Sequence, residues 1–243
     1  NIGAGGHMII FRMIHFLEKF GHKNTLWITW NSIHVNPKEV IEYAFIHINA
    51  RVYILKEDEL YIPNGDIVFA TDRWTTYFVR GMPNFSERFY FILDYEPYFY
   101  PVGTDYFLTK NTYHFGFYPI TGGKWLKQMI HREGLMNVSY FDFAYEPKNY
   151  FPPKTESKIK PKHIIAFYAR HATPRRLVEI GFFALEALAN MRNDFTVLLF
   201  GQKIGKNAPL DFPYEDRGVL SDKDLGELYR NSTLGIVFSA TNY

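Results

Sequence analysis

The strongest constraint on this chain is an alternation that stops once and then restarts. Short apolar runs of β-forming residues are followed by segments with helical spacing, the pattern of strands laid parallel and joined by helices. In the first stretch, NTLWITW (24–30), ARVYIL (50–55), DIVFAT (66–71), RFYFILD (88–94) and NVSYFDFAY (137–145) read as strands. MIIFRMIHFLEKF (8–20), apolar almost all round, reads as a buried helix entered from the loop GAGGH. PKEVIEYAFIHI (37–48), with Pro37 at its first position, RWTTYFVRG (73–81) and GGKWLKQMIHREG (122–134), ending on Gly134, read as further helices.

The break is EPKNYFPPKTESKIKPK (146–162), with four prolines and mixed charge, which reads as a linker. The pattern then resumes with strand HIIAFYA (163–169), helix RRLVEIGFFALEALANM (175–191) and strand FTVLLFG (195–201). A short strand DRGVL (216–220), a helix opened by a capping box on Ser221 and Asp224, and the run LGIVFS (234–239) complete it. The expected fold is α/β: two Rossmann-like domains facing a cleft, residues 1–145 and 163–243, with 146–162 between them. The chain opens directly on a glycine loop and stops at Tyr243 after an apolar run. The expectation is therefore that the first strand and part of the C-terminal domain lie outside it.

Composition narrows the function. The 243 residues are 47% hydrophobic and 19% aromatic, ample for two small cores, and a formal charge of +2 argues against a general nucleic-acid binder. Zero cysteines exclude disulfide scaffolds and cysteine-based zinc sites and fit a cytoplasmic protein. No Walker lysine motif and no G-x-S-x-G elbow is present, and no histidines fall at zincin spacing.

Three stretches carry candidate chemistry. FYARHATPRR (167–176) places Arg170 at the end of a strand and Arg175 and Arg176 at the start of the next helix. Cations misfit a helix N-terminus, whose dipole favours negative charge, so an anion is expected there. A diphosphate would accept bidentate guanidinium bonds, and Lys203 in FGQK brings a second strand-end cation. The alternative is a basic solvated loop. ILDYEPYFYP (92–101) offers Asp94 and Glu96 as candidate catalytic carboxylates, one facing the reacting centre or orienting an acceptor hydroxyl; the alternatives are a divalent metal site and a hydrogen-bonded turn. GAGGH lacks the third glycine and downstream acid of a dinucleotide site. That leaves a substrate-facing loop of Gly5, Gly6 and His7, or a plain turn.

These residues, in this order, resemble the two-domain glycosyltransferases of the GT-B fold, specifically the retaining family 4 enzymes. FYARHATPRR is similar to that family's donor-diphosphate signature, and LLFGQK with DRGVLSDKDLGELYRNSTLGIVFS is similar to its following donor-domain segment. In the first half, GAGGHMIIFRM, LDYEPYFYP and FGFYPITGGKWL resemble bacterial rhamnosyltransferases that build surface polysaccharides.

The resemblance implies transfer of a sugar, L-rhamnose from dTDP-L-rhamnose for the rhamnosyl likeness, to a growing or lipid-linked glycan. It implies no cofactor, no obligatory metal and work at the inner face of the membrane. By the same likeness Arg170 with Arg175 or Arg176 would hold the diphosphate, Gly218 and Val219 would lie beside the base, and Gly5 and Gly6 would approach sugar or acceptor. The family's paired glutamates are expected just beyond Tyr243, so the chain as it stands is expected to lack part of the catalytic set. The alternatives are a non-catalytic glycan- or nucleotide-binding module and a nucleotide-sugar epimerase or hydrolase of the same fold.

Overall fold

A computed structural model describes residues 5–28, 36–44, 46–55, 64–135, 137–153, 162–205 and 209–240. Gly3, Trp30, Asn31, Tyr243 and the middle of the expected linker lie outside the described residues. The chain divides into two compact units, Asn1–Phe143 and Ala144–Tyr243.

The N-terminal unit runs α1 (Gly5–Lys19), β1 (Thr25–Ile28), α2 (Pro37–Ala44), β2 (Arg51–Ile54), β3 (Gly65–Ala70), α3 (Arg73–Arg80) and β4 (Phe85–Ile92). A 3-10 turn Glu96–Phe99, α4 (Thr104–Thr112), β5 (Tyr118–Gly122), α5 (Lys124–Arg132) and β6 (Ser139–Phe141) follow. Strands β1 and β2 pair in parallel, and β3-β4-β5-β6 form a second, wholly parallel sheet. The larger sheet is held by Tyr90, Ile92 and Tyr95 from β4 and the turn beyond it, packed with Tyr113, Leu126 and Ile130. Two expectations change here. The glycines Gly5 and Gly6 and His7 form the first turn of α1 instead of a loop before it. That helix is amphipathic in its setting: Phe11 and Ile14 are buried, whereas Phe16 is 52% exposed. Nothing in an almost uniformly apolar sequence marks which face the core will use.

The C-terminal unit runs β7 (His163–Ala169), a 3-10 turn Pro174–Arg176, α6 (Val178–Ala189), β8 (Phe195–Gly201), β9 (Tyr214–Gly218), α7 (Asp222–Asn231) and β10 (Leu234–Ile236). Its sheet is parallel with order β10-β7-β8-β9. Phe167, Val197 and Leu199 pack with Phe182 and Leu185 of α6, while Leu198 and Phe200 pack with Leu228 of α7. Both layers follow from period-two alternation in strands buried on both faces. Each unit is thus mixed α/β with a parallel, Rossmann-like sheet. Among the described residues no helix is long and apolar enough to cross a membrane.

Residues 146–153, within the expected linker, pack on α7. The Arg230 guanidinium donates to the Asn149 carbonyl at 2.7 Å and lies over the Phe151 ring, and Gly226 of α7 abuts that same carbonyl. A Cβ at Gly226 would occupy the space of the Asn149 backbone. Gly226→Ala should therefore destabilise the C-terminal unit by about 1–3 kcal/mol through overpacking. Urea unfolding checks it: a gain of about 1 kcal/mol, the helix-propensity effect alone, would show that the segment gives way freely.

Candidate functional site

In the C-terminal unit the sequence leaves β7 toward β8 and β9 on one side, then returns to place β10 on the other side of β7. The strand order therefore reverses between β7 and β10, and open parallel sheets bind ligands beyond the carboxyl ends of strands at such a reversal. Arg170 follows β7 directly, and Ala169 pairs in register with Gly201 at the end of β8. The next residues of β8's exit, Gln202 and Lys203, thus emerge beside Arg170's segment. Gln202 fastens the two: its Oε1 accepts from the Ala172 N–H at 2.8 Å. On the other flank the Ala240 N–H, beyond β10, donates to the Arg175 carbonyl at 2.8 Å. Among the described residues neither the Arg170 guanidinium nor the Lys203 ammonium forms an ion pair.

Arg175 and Arg176 do not begin the helix as the sequence pattern implied. They lie in the 3-10 turn, and Leu177 then takes the left-handed conformation (φ 48°) before α6 starts at Val178. Leu177 is the one non-glycine described residue with positive φ, a conformation costing roughly 1–2 kcal/mol for a branched side chain. Pro174 favours the tight turn, and the left-handed Leu177 separates both arginines from the start of α6. The Arg176 guanidinium sits 5.5 Å from the centre of the Tyr168 ring. The expected need for an outside anion is also met in part from within. Glu179, in the first turn of α6, bonds its own N–H and His171 (3.0 Å), and these hold its carboxyl below the usual range. Gly218 and Val219 stand at the end of β9. Gly218 has φ 59°, and Lys203 packs against it, with side-chain and backbone carbons about 4 Å from where a Cβ would lie. Val219 is 68% exposed, and Gly201 (φ 104°) lies where any Cβ would enter the Tyr168 ring.

In the N-terminal unit, Gly6 lies against Leu93, so the start of α1 and the exit of β4 are neighbours, with Asp94 next in the chain. Gly5, Gly6 and His7 are all exposed. Asp94 is half-buried, and its Oδ1 accepts from the Tyr95 N–H at 2.9 Å. Glu96 differs from it sharply. It is 6% exposed, and its Oε2 accepts from the Arg73 N–H at 2.8 Å, which fixes the first turn of α3. Burial, reinforced by the negative charge of Asp72, pushes the Glu96 carboxyl up to about 8. Beside it lie Tyr90 and Tyr113, whose buried hydroxyls have no hydrogen-bond partner within reach among the described residues, and burial, with the Glu96 carboxylate adding to it, pushes both phenols well above their usual range. Arg73 is 3% exposed on its side chain, bonded to the Asp105 carboxylate (2.9 Å) and carbonyl (3.0 Å), and its guanidinium is held between the rings of Trp74 and Tyr100. Among the described residues no group of three His, Asp or Glu side chains could hold a metal.

Comparison with known proteins adds a likeness that runs the full length of the chain. It is 28% identical, over a 258-residue alignment that takes in all of it, to the O-antigen biosynthesis protein RfbC of Myxococcus xanthus. The chain spans 19% of that protein's length. No family model matches the chain.

Sequence reasoning missed three residues that organise these surroundings. Gln202 stands in FGQK beside Lys203, whose charge is the more obvious signal. Arg73 was read only as part of a helix, although TDRWTTY carries the signal of the cap: Asp72 accepts from the Thr75 N–H at 2.7 Å and Thr75 Oγ1 accepts in return from the Asp72 N–H. Asp216 sits within the expected strand DRGVL, where a lone acidic residue carries no signal of its own.

Proposed function

We propose that this chain is part of a glycosyltransferase that moves a sugar from a nucleoside-diphosphate donor to a growing bacterial glycan. The C-terminal unit takes the donor, and the N-terminal unit contributes to holding the acceptor. The observation that carries the reading is the delivery of Arg170 and Lys203 to the carboxyl ends of adjacent strands β7 and β8, beside the strand-order reversal, with no ion pair on either among the described residues. The likeness to an O-antigen biosynthesis protein supports glycan assembly as the setting.

In this reading Arg170, with Arg175 or Arg176, and Lys203 stabilise the charge that develops on the leaving diphosphate as the bond from the sugar's anomeric carbon to the phosphate oxygen breaks. That electrostatic contribution is commonly the largest in such sites. The anomeric carbon bonds to an acceptor hydroxyl oxygen, and the hydroxyl proton passes to the departing diphosphate, which is released as the nucleoside diphosphate. Gly218 and Val219 flank the base. Gly5, Gly6 and His7 lie on the acceptor side, with Asp94 oriented to the acceptor hydroxyl. Glu96, being buried on the Arg73 amide, supports that segment from beneath. A retaining outcome, a family 4 GT-B assignment and L-rhamnose as the sugar are the finer form of the proposal, carried by the sequence resemblance.

Incubation of the protein with nucleotide sugars, with and without glycan acceptor, tests the reaction. Donor consumption that requires acceptor is expected. Consumption that proceeds equally without acceptor favours a hydrolase or epimerase, and saturable binding with no consumption favours a binding module.

A further inference from the structure

Asp216 lies at an irregularity in β9. Leu199 of β8 pairs with Asp216, and the next residue, Phe200, pairs with Gly218, so Arg217 is an extra residue bulged out of the ladder. Such bulges re-aim side chains and recur beside functional sites. Here both oxygens of one half-buried carboxylate are occupied by backbone amides of the two strand exits. Oδ2 accepts from Ile204 (2.9 Å) and Gly205 (3.3 Å), and Oδ1 accepts from Gly218 (3.0 Å). Ile204 and Gly205 immediately follow Lys203, and Lys203 packs on Gly218. Among the described residues no helix stands between β8 and β9, and this carboxylate joins the exit of β8 to the end of β9.

We infer that Asp216 is a positioning residue that fixes the Lys203 loop, and with it the Lys203 ammonium, against Gly218 for contact with the donor's diphosphate. The inference rests on the proposed donor role of the C-terminal unit, but its first half is a property of the free protein. A flexible lysine held in one place meets an anion without first losing the freedom of its loop, which is the advantage of pre-organisation. A carboxylate is suited to the task because an amide at the same position offers one acceptor oxygen where three N–H groups converge. Asp216 itself carries negative charge, so a plain electrostatic role would oppose anion binding. Its removal should strengthen binding if charge were all that mattered.

The test uses the intact chain and Asp216→Asn. In the free protein, amide exchange at Ile204, Gly205 and Gly218 should speed up by about tenfold or more, the effect of losing about 1.4 kcal/mol of local protection. Unchanged exchange there overturns the inference whatever the ligand result. With UDP and dTDP as probes, Asp216→Asn should weaken binding about tenfold in the wild-type background and much less in Lys203→Ala, because the two residues act through one loop. Equal losses in both backgrounds would reduce Asp216 to general stability, and tighter binding would make it a simple opposing charge. Wild-type protein that binds neither probe, with exchange at the three amides still accelerated, would defeat the donor reading and with it the link to diphosphate, while leaving the loop anchor standing.

Discussion

The stability of the N-terminal unit should fall steadily as pH rises from 4.5 to 8, and Glu96→Gln should remove most of that fall. The folded carboxyl titrates near 8, against an ordinary value of 4.5, because burial and the neighbouring Asp72 disfavour its charged form. The folded state therefore binds this proton more tightly than the unfolded chain does. The stability it confers is fully present below pH 4.5 and is lost as pH passes up through 8. At about 1.4 kcal/mol per pH unit across that window, the loss approaches about 5 kcal/mol. Glutamine keeps an oxygen for the Arg73 N–H and cannot ionise. Urea unfolding of both proteins at pH 5.5, 7 and 8.5 checks this. Parallel profiles for the two would show that Glu96 is ionised in the fold at neutral pH.

Arg170→Ala should weaken nucleoside-diphosphate binding by about 1.5–3 kcal/mol, roughly ten- to more than a hundredfold, the typical loss of a hydrogen bond to a charged group. Folding should be nearly unaffected, because Arg170 is half-buried and in no ion pair among the described residues. Arg170→Lys should recover only part of the loss, since an ammonium cannot reproduce the planar fork. Full recovery by lysine would make the contact one of net charge alone.

The strands β7 and β8 were legible to the residue because each is a continuous apolar run with a polar residue or glycine at its end. That legibility also located Arg170 and Lys203, since a residue just past a parallel strand needs no further argument to reach the carboxyl edge of the sheet. By contrast, α4 and β5 carry no clear signal in the sequence. TDYFLTKNT carries three threonines and no clear apolar stripe, and Pro119 in the entry of β5 is ordinarily a mark against an interior strand. The tertiary fit of Thr109 and Thr112, both fully buried, decides what propensity leaves open. The residue pattern places Arg175 and Arg176 in α6 because the left-handed Leu177 has no composition signal, such a turn being normally the province of glycine or asparagine. Asp216 was invisible for a different reason. Its partners are backbone amides, two of them 11 and 12 residues earlier in the chain, and no side-chain pattern encodes them. Glu96 stood out in the sequence as a chemical group, yet only the structure reveals that it bonds the first turn of α3.

The central claim, that the carboxyl edge of the β10-β7-β8-β9 sheet binds a nucleoside diphosphate, is tested most directly by calorimetric titration of the chain with UDP and dTDP beside uridine and thymidine. Expected are saturable binding of at least one diphosphate, no measurable binding of either nucleoside, affinity that falls with added salt, and a loss of tenfold or more in Arg170→Ala. Binding of diphosphate that is equal in wild type and Arg170→Ala, or no binding of either diphosphate, would contradict it and return these arginines to a basic surface loop.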